Sequence, residues 1–177
     1  MPDELNKEKQ MKSVLKLAEI KDIPQIWEIL QQAIARRKAD NSNQWQDGYP
    51  NPEVIKIDIE KNAGFVLLLD QEIVGYVAVL INDEPEYDNI VGKWLTNGDF
   101  VVFHRVAISD RHLGMGFAKE IFLHLESYAE TKNIHSIKAD TNFDNPAMLY
   151  LFEKMGYVYC GEVFFRGSPR KAYEKVV

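Results

Sequence analysis

The stretch Val106-Ala-Ile-Ser-Asp-Arg-His-Leu-Gly-Met-Gly-Phe-Ala118 decides the reading of this chain. It opens as the end of an apolar run, Phe100 to Ile108, interrupted only by His104 and Arg105. Such a run suits a central strand buried on both faces. A short polar turn follows. Gly114 and Gly116 then open a helical pattern with Phe117, Ile121, Leu125 and Tyr128 on one stripe. Strand, glycine turn and helix N-terminus in that order make an anion site. Glycine lets backbone N–H groups approach a phosphate closely, and the helix dipole adds partial positive charge. The stretch predicts a phosphorylated ligand held largely by backbone groups.

Upstream, Ser13 to Ala18 reads as a first strand, and Asp22-Ile-Pro-Gln25 offers a helix cap. Ile23, Ile26, Trp27, Leu30 and Ile34 recur at helical spacing behind it. A polar, aromatic segment, 41–50, leads to Asn51-Pro52-Glu53, a cap with proline at the first helical position. Ile55, Ile57 and Ile59 alternate like a strand and compete with that helix. Phe65 to Leu69 and Ile73 to Ile81 form a hairpin about Asp70-Gln71. Asp83 to Gly98 reads as a long acidic loop lying over a site. Downstream, Ser136 to Thr141 is a strand. Asn145-Pro146 starts a helix with Met148, Leu151, Phe152 and Met155 on one face, and Gly156 stops it. Tyr157 to Phe165 and Lys171 to Val176 close the chain as strands. Hairpins mixed with crossover helices predict an α/β fold, a mixed sheet with helices on both faces.

The chain has 177 residues, enough for one domain with a full core. Residues 1–12 are expected to be a disordered tail and 13–177 the folded domain. The polar first ten residues carry no apolar signal core, and no run of 18 apolar residues exists, so a cytoplasmic location and no membrane partner are expected. A net charge of −6 argues against nucleic acid, whose phosphates need clustered Lys and Arg. Cys160 is the single cysteine; it lies in an apolar-aromatic run and reads as a core thiol. Histidines 104, 112, 124 and 135 are scattered, so no metal is expected. The glycine turn lacks the Lys-Ser/Thr of a P-loop and the third glycine of a dinucleotide fingerprint.

With this element order, Arg111-His-Leu-Gly-Met-Gly116 resembles the signature of the GNAT family of acetyl-CoA-dependent N-acetyltransferases, an apolar strand followed by Gln/Arg-x-x-Gly-x-Gly/Ala. A second family signature, Asn-x-x-Ala-x-x-Leu-Tyr-x-x-x-Gly-Phe, resembles Asn145 to Tyr157. Here Met148, Phe152 and Tyr157 stand where the family usually has Ala, Tyr and Phe. The resemblance implies a GNAT-like, mostly antiparallel central sheet and acetyl-CoA as cosubstrate. It implies that Val106, Ala107 and Ile108 offer backbone groups to the acetyl carbonyl and pantetheine arm. Arg111 and the N–H groups of His112, Leu113, Gly114, Met115, Gly116, Phe117, Ala118 and Lys119 would cradle the pyrophosphate. Asn145 and Phe152 would flank the thiol end. The usual Tyr at position 152 often protonates the departing thiolate; Tyr150 is about 200° round the helix and does not replace it.

Acetyl transfer to an amine needs a group to take the amine proton, a donor for the developing oxyanion and a means of holding both reactants. His104 is the candidate base, sharing a strand face with Val106 and Ile108 by alternation; the competing reading is a core histidine. Asp140 binds a cationic substrate or relays a proton; the competing reading is an ion pair with Arg105 or Arg170. Trp45 and Tyr87 wall an acceptor pocket or else cover the core edge, and Glu84 and Glu86 read as a solvated face. The expected activity is direct transfer to the primary amine of a small molecule. The alternatives are transfer to a protein N-terminus or lysine, and a catalytically silent acyl-CoA-binding module. A small acceptor requires 41–50 and 83–98 to close the acceptor side. The edge strands permit a homodimer without requiring one.

Overall fold

A computed structural model describes residues 11–177. Most of the expected tail therefore lies outside the described residues, but Lys12 is already tied down, its N–H donating to Glu120 Oε1 at 2.6 Å. The strands are β1 Val14–Leu17, β2 Gly64–Leu69, β3 Glu72–Ile81, β4 Val91–Gly92, β5 Val101–Ile108, β6 Ser136–Thr141, β7 Val158–Phe165 and β8 Ser168–Val176. The helices are α1 Ile23–Ala39, α2 Pro52–Glu60, α3 Phe117–Thr131 and α4 Pro146–Lys154, with short 3-10 turns at Ile20–Asp22, Pro85–Asn89 and Asp110–His112. The sheet has eight strands in the order β1-β2-β3-β5-β6-β8-β7-β4. Among the described residues only β5 and β6 run parallel. No helix among the described residues is long and apolar enough to cross a membrane.

Local chemistry explains most elements. Asn51 caps α2, its side chain accepting from Val54 N–H at 3.0 Å, with Pro52 behind it. That cap decides between the two readings of the isoleucines: Ile55 is buried, and Ile57 turns outward at 41% exposure. Asp70 and Gln71 both adopt positive φ, +48° and +70°, as a two-residue hairpin turn of right-handed twist requires.

The helices pack on opposite faces. Phe117, Ile121 and Leu125 of α3, Phe152 of α4 and Met155 just after it bury against Leu67, Val77, Val101 and Phe103. On the other face Ile26, Ile29 and Leu30 of α1 and Ile55 of α2 cover Val66, Tyr76 and Ala107. The rest of that face has no helix. It is covered instead by segment 83–98, whose Tyr87, Ile90 and Trp94 pack on Val102, Val163 and Ala172. The expected loop is thus a packed layer containing a 3-10 turn and strand β4, which the sequence reading does not include. Gly161 makes β4 possible: its φ is +136°, and a Cβ there would lie 2.2 Å from Val91 O.

The centre of the sheet is split. Only Val101↔Ile137 and Val102↔Lys138 pair between β5 and β6, after which the strands part. β5 also carries a bulge. Ala78 of β3 faces His104 and Tyr76 faces Ala107, so Arg105 and Val106 have no ladder partner on β3. Arg105 takes φ +58° to accommodate them. The bulge corrects the alternation expected for His104: Val106 and Ile108 pack with the α3 core, whereas His104 lies opposite Ala78, with Ala107, toward α1.

Candidate active site

The bulge rests on a buried network. Arg105 Nε and Nη2 donate to the two oxygens of Asp58 at 2.9 and 2.5 Å, Nη1 donates to Tyr49 Oη at 2.5 Å, and Tyr76 Oη donates to Asp58 at 2.6 Å. Burial pushes the Tyr76 phenol up and Asp58 beside it pushes it further, so Tyr76 stays a neutral donor. Arg105 therefore pairs with Asp58 on α2 and not with Asp140. The consequence for chemistry is at Val106. Pairing with β6 ends at Val102, so the edge of β5 that passes Val106 has no β6 ladder and borders the opening between the two strands.

Below Val106 the chain turns through Ser109 into the glycine segment. His112 N–H donates to Ser109 O at 2.9 Å, and His112 Nδ1 shares a hydrogen bond with Ser109 Oγ at 2.8 Å. Gly114 and Gly116 have φ of +73° and +85°, and a Cβ at either would meet no protein atom within 4 Å. Gly116 is the N-cap of α3. The first-turn N–H groups of α3, from Phe117 to Lys119, have no partner within the helix and open on that space. Arg111 stands beside it, 80% exposed at its side chain, with Nη2 2.7 Å from Glu72 Oε1. The α1 helix braces this turn: Arg36 pairs with Asp110 and donates to Ile108 O at 2.9 Å, and Asp110 N–H donates to Gln32.

Where β5 and β6 part lies a water-sized cavity of about 50 Å³, lined by Arg37, Gln44, Trp45, His104, Val106, Asp140, Asn145 and Phe152 among others. It brings together residues from both signatures and both expected catalytic groups. His104 Nε2 lies 2.7 Å from Glu84 Oε2, an ion-pair contact whenever the ring is protonated, but the atom has no aligned hydrogen-bond partner. Glu84 is therefore not on a solvated face; its side chain is 13% exposed. Asp140 accepts from Tyr87 Oη at 2.7 Å. Burial raises the Asp140 carboxyl, against the lowering pull of His104 and of the Tyr87 hydroxyl. Tyr87 does not wall the cavity: it is 2% exposed, packed on Trp94 and Phe100, and acts by holding Asp140. Trp45 does line it.

Asn145 is engaged by the protein itself. It caps α4 by accepting from Met148 N–H at 3.3 Å, accepts from Arg37 Nη1 at 3.1 Å, and donates to Gln44 Oε1 at 2.8 Å. Phe152 is buried in an aromatic stack, 4.6 Å from the Tyr173 ring, and brings no hydroxyl to the cavity. Tyr150 lines a separate outer groove of about 610 Å³ with Tyr159 and Lys171, which shares no residue with the cavity. Cys160 is buried, its thiol pushed up by burial, as a core thiol should be. Among the described residues no group of three or more His, Cys, Asp or Glu could hold a metal ion.

Both flanking segments are pinned. Ser42 Oγ and Asn43 N–H donate to Asp144 at 2.8 and 2.9 Å. On the other side, Leu95 N–H donates to Glu174 at 2.5 Å, with Thr96 on its second oxygen, and Trp94 Nε1 donates to Tyr87 O at 2.9 Å.

The fold and part of the sequence are shared with known proteins. The acetyltransferase (GNAT) family model matches residues 26–157. The chain belongs to the GNAT acetyltransferase family. This GNAT protein is similar to the uncharacterized N-acetyltransferase YesJ of Bacillus subtilis (strain 168), 27% identical over 124 residues that cover 68% of this chain and 67% of that protein. Its structure is similar to that of a GNAT acetyltransferase from Streptococcus agalactiae 2603, 34% identical, with a TM-score of 0.84 over 93% of this chain and 95% of that one. It shares its fold with Salmonella typhimurium yncA, solved with its cofactor acetyl-CoA, at 14% identity and a TM-score of 0.65 over 94% of each chain.

Proposed function

We propose that this acetyltransferase works in the cytoplasm and moves the acetyl group of acetyl-CoA directly to the primary amine of a small molecule. The observation that carries the small acceptor is the closure of the opening between β5 and β6. Segments 41–50 and 83–98 are hydrogen-bonded down on either side of it and narrow the approach to the cavity, where a protein acceptor would need an open groove.

The pyrophosphate of acetyl-CoA rests on the glycine turn and the first turn of α3, with Arg111 closing over it. The pantetheine arm runs between β5 and β6, and the backbone of Val106, where β5 has parted from β6, binds the thioester end. An N–H there is placed for the oxyanion that forms when the amine attacks. The acceptor ammonium binds beside Asp140 and Glu84, gives its proton to His104 and attacks the carbonyl carbon as a neutral amine. Glu84, 2.7 Å away, stabilises the imidazolium. The C–N bond forms, the C–S bond breaks, coenzyme A leaves as a thiolate, and the nitrogen sheds its second proton to water. Phe152 offers no proton, so the thiolate takes one from His104 or water.

The test is thiol release from acetyl-CoA over a panel of small amines and peptides, beside calorimetry of acetyl-CoA binding. Amine-dependent release with small acceptors, and a kcat/KM that His104→Ala lowers, are expected. Acetylation of peptides alone would overturn the small acceptor. Binding without transfer to any amine would favour a silent acyl-CoA-binding module, which Phe152 alone suggests.

A further inference from the structure

One buried donor near the acceptor side has no partner. Arg170 lies on β8, where Ala172 stands opposite Asp140 and Lys171 opposite Thr141, the last residue of β6. Arg170 is thus the first residue beyond the end of β6. By alternation it shares the face of Ala172, the face that carries Asp140 and is covered by Tyr87. Its guanidinium carbon lies 5.9 Å from the centroid of the Phe165 ring, and its charge acts on Asp140. Asp140 nevertheless takes its hydrogen bond from Tyr87, and Arg170 Nε is buried with no hydrogen-bond partner among the described residues. A buried unmet donor is costly, and on a planar fork it suits a carboxylate.

We propose that the acceptor is a zwitterion of amino-acid type, whose ammonium binds between Asp140 and Glu84 and whose carboxylate is bound by Arg170. The inference rests on the acetyl-transfer reading and narrows its substrate. Glu84 contacts His104, and Asp140 lines the same cavity as His104, where the amine must lose its proton. The backbone of Arg170 sits about two strand residues further along, roughly 7 Å. That separation suits an amine and a carboxylate on one small molecule. A simple alkylamine would leave Arg170 Nε without a partner.

The test compares matched pairs on the full chain with saturating acetyl-CoA: amino acids against the same amino acids as their primary amides, followed by thiol release. The acids are expected to exceed the amides in kcat/KM by about 10- to 100-fold. Arg170→Gln should collapse that ratio toward one, chiefly through KM, and Arg170→Lys should restore part of it. Equal or better use of the amides by the wild-type protein overturns the inference while leaving acetyl transfer standing. So does an Arg170→Gln protein that keeps the wild-type ratio. Bound acetyl-CoA with no transfer to any amine removes both readings. The wild-type comparison decides the matter even where a variant fails to fold.

Discussion

Arg105 holds a left-handed backbone that a long side chain rarely adopts, and the fork of contacts from Asp58 and Tyr49 is what keeps it there. Arg105 and Asp58 are nearly buried, with side-chain exposures of 10% and 6%. Removing one leaves an uncompensated charge. Asp58→Ala should lower unfolding free energy by about 3–5 kcal/mol in denaturant titration, and should weaken acetyl-CoA binding because Val106 loses its position; an unchanged midpoint contradicts this role. Arg111 gives a contrasting case. It is exposed, so Arg111→Ala should leave the melting temperature almost unmoved while weakening acetyl-CoA about tenfold, more so at low salt. Asp140 supplies a pH test. Its folded pKa is raised, so its stabilising share is present below the unfolded value and is lost as pH rises through the folded one. Asp140→Asn cannot ionise and still accepts from Tyr87. Its melting temperature relative to wild type should therefore rise as pH increases above the ordinary carboxylate value of about 4; a flat difference is the contrary result.

At the scale of elements, segment 83–98 does the work of a missing helix. Glu174, fully buried, holds it through Leu95 and Thr96, and also accepts from Ser136. Glu174→Ala should strip three donors of their acceptor and speed amide exchange across residues 87–96 ahead of the rest of the chain. The sequence makes the glycine turn, α3 and α4 legible, because glycine and a 3.6-residue period are local signals. It does not reveal that 83–98 is packed, since the partners Asp140, Lys138 and Glu174 lie far along the chain. Nor does it mark the bulge: the left-handed position is filled by Arg105 and not by glycine, so alternation puts His104 on the wrong face. The available clue was Asp58, a carboxylate at helical spacing on the buried side of α2 with Ile55. Glu84 is misread for the same reason as 83–98: acidic neighbours look solvated until the partner, His104, is known.

For the whole molecule, the sheet is two antiparallel halves joined by the short parallel meeting of β5 and β6. The first half carries the glycine turn, α1 and α3; the second carries Asp140, α4 and segment 83–98. The site lies where the halves part, so each contributes to it and neither contains it whole. In the proposed reading acetyl-CoA spans that division, with its phosphates on the glycine turn of the first half and its thioester at the parting, between Val106 and Asp140. The most direct measurement is amine-dependent thiol release from acetyl-CoA by the intact protein, across a panel of small amines. Release that saturates in both reactants, and that falls with His104→Ala, is the predicted result. Tight binding of acetyl-CoA with no release above the amine-free rate would contradict the account.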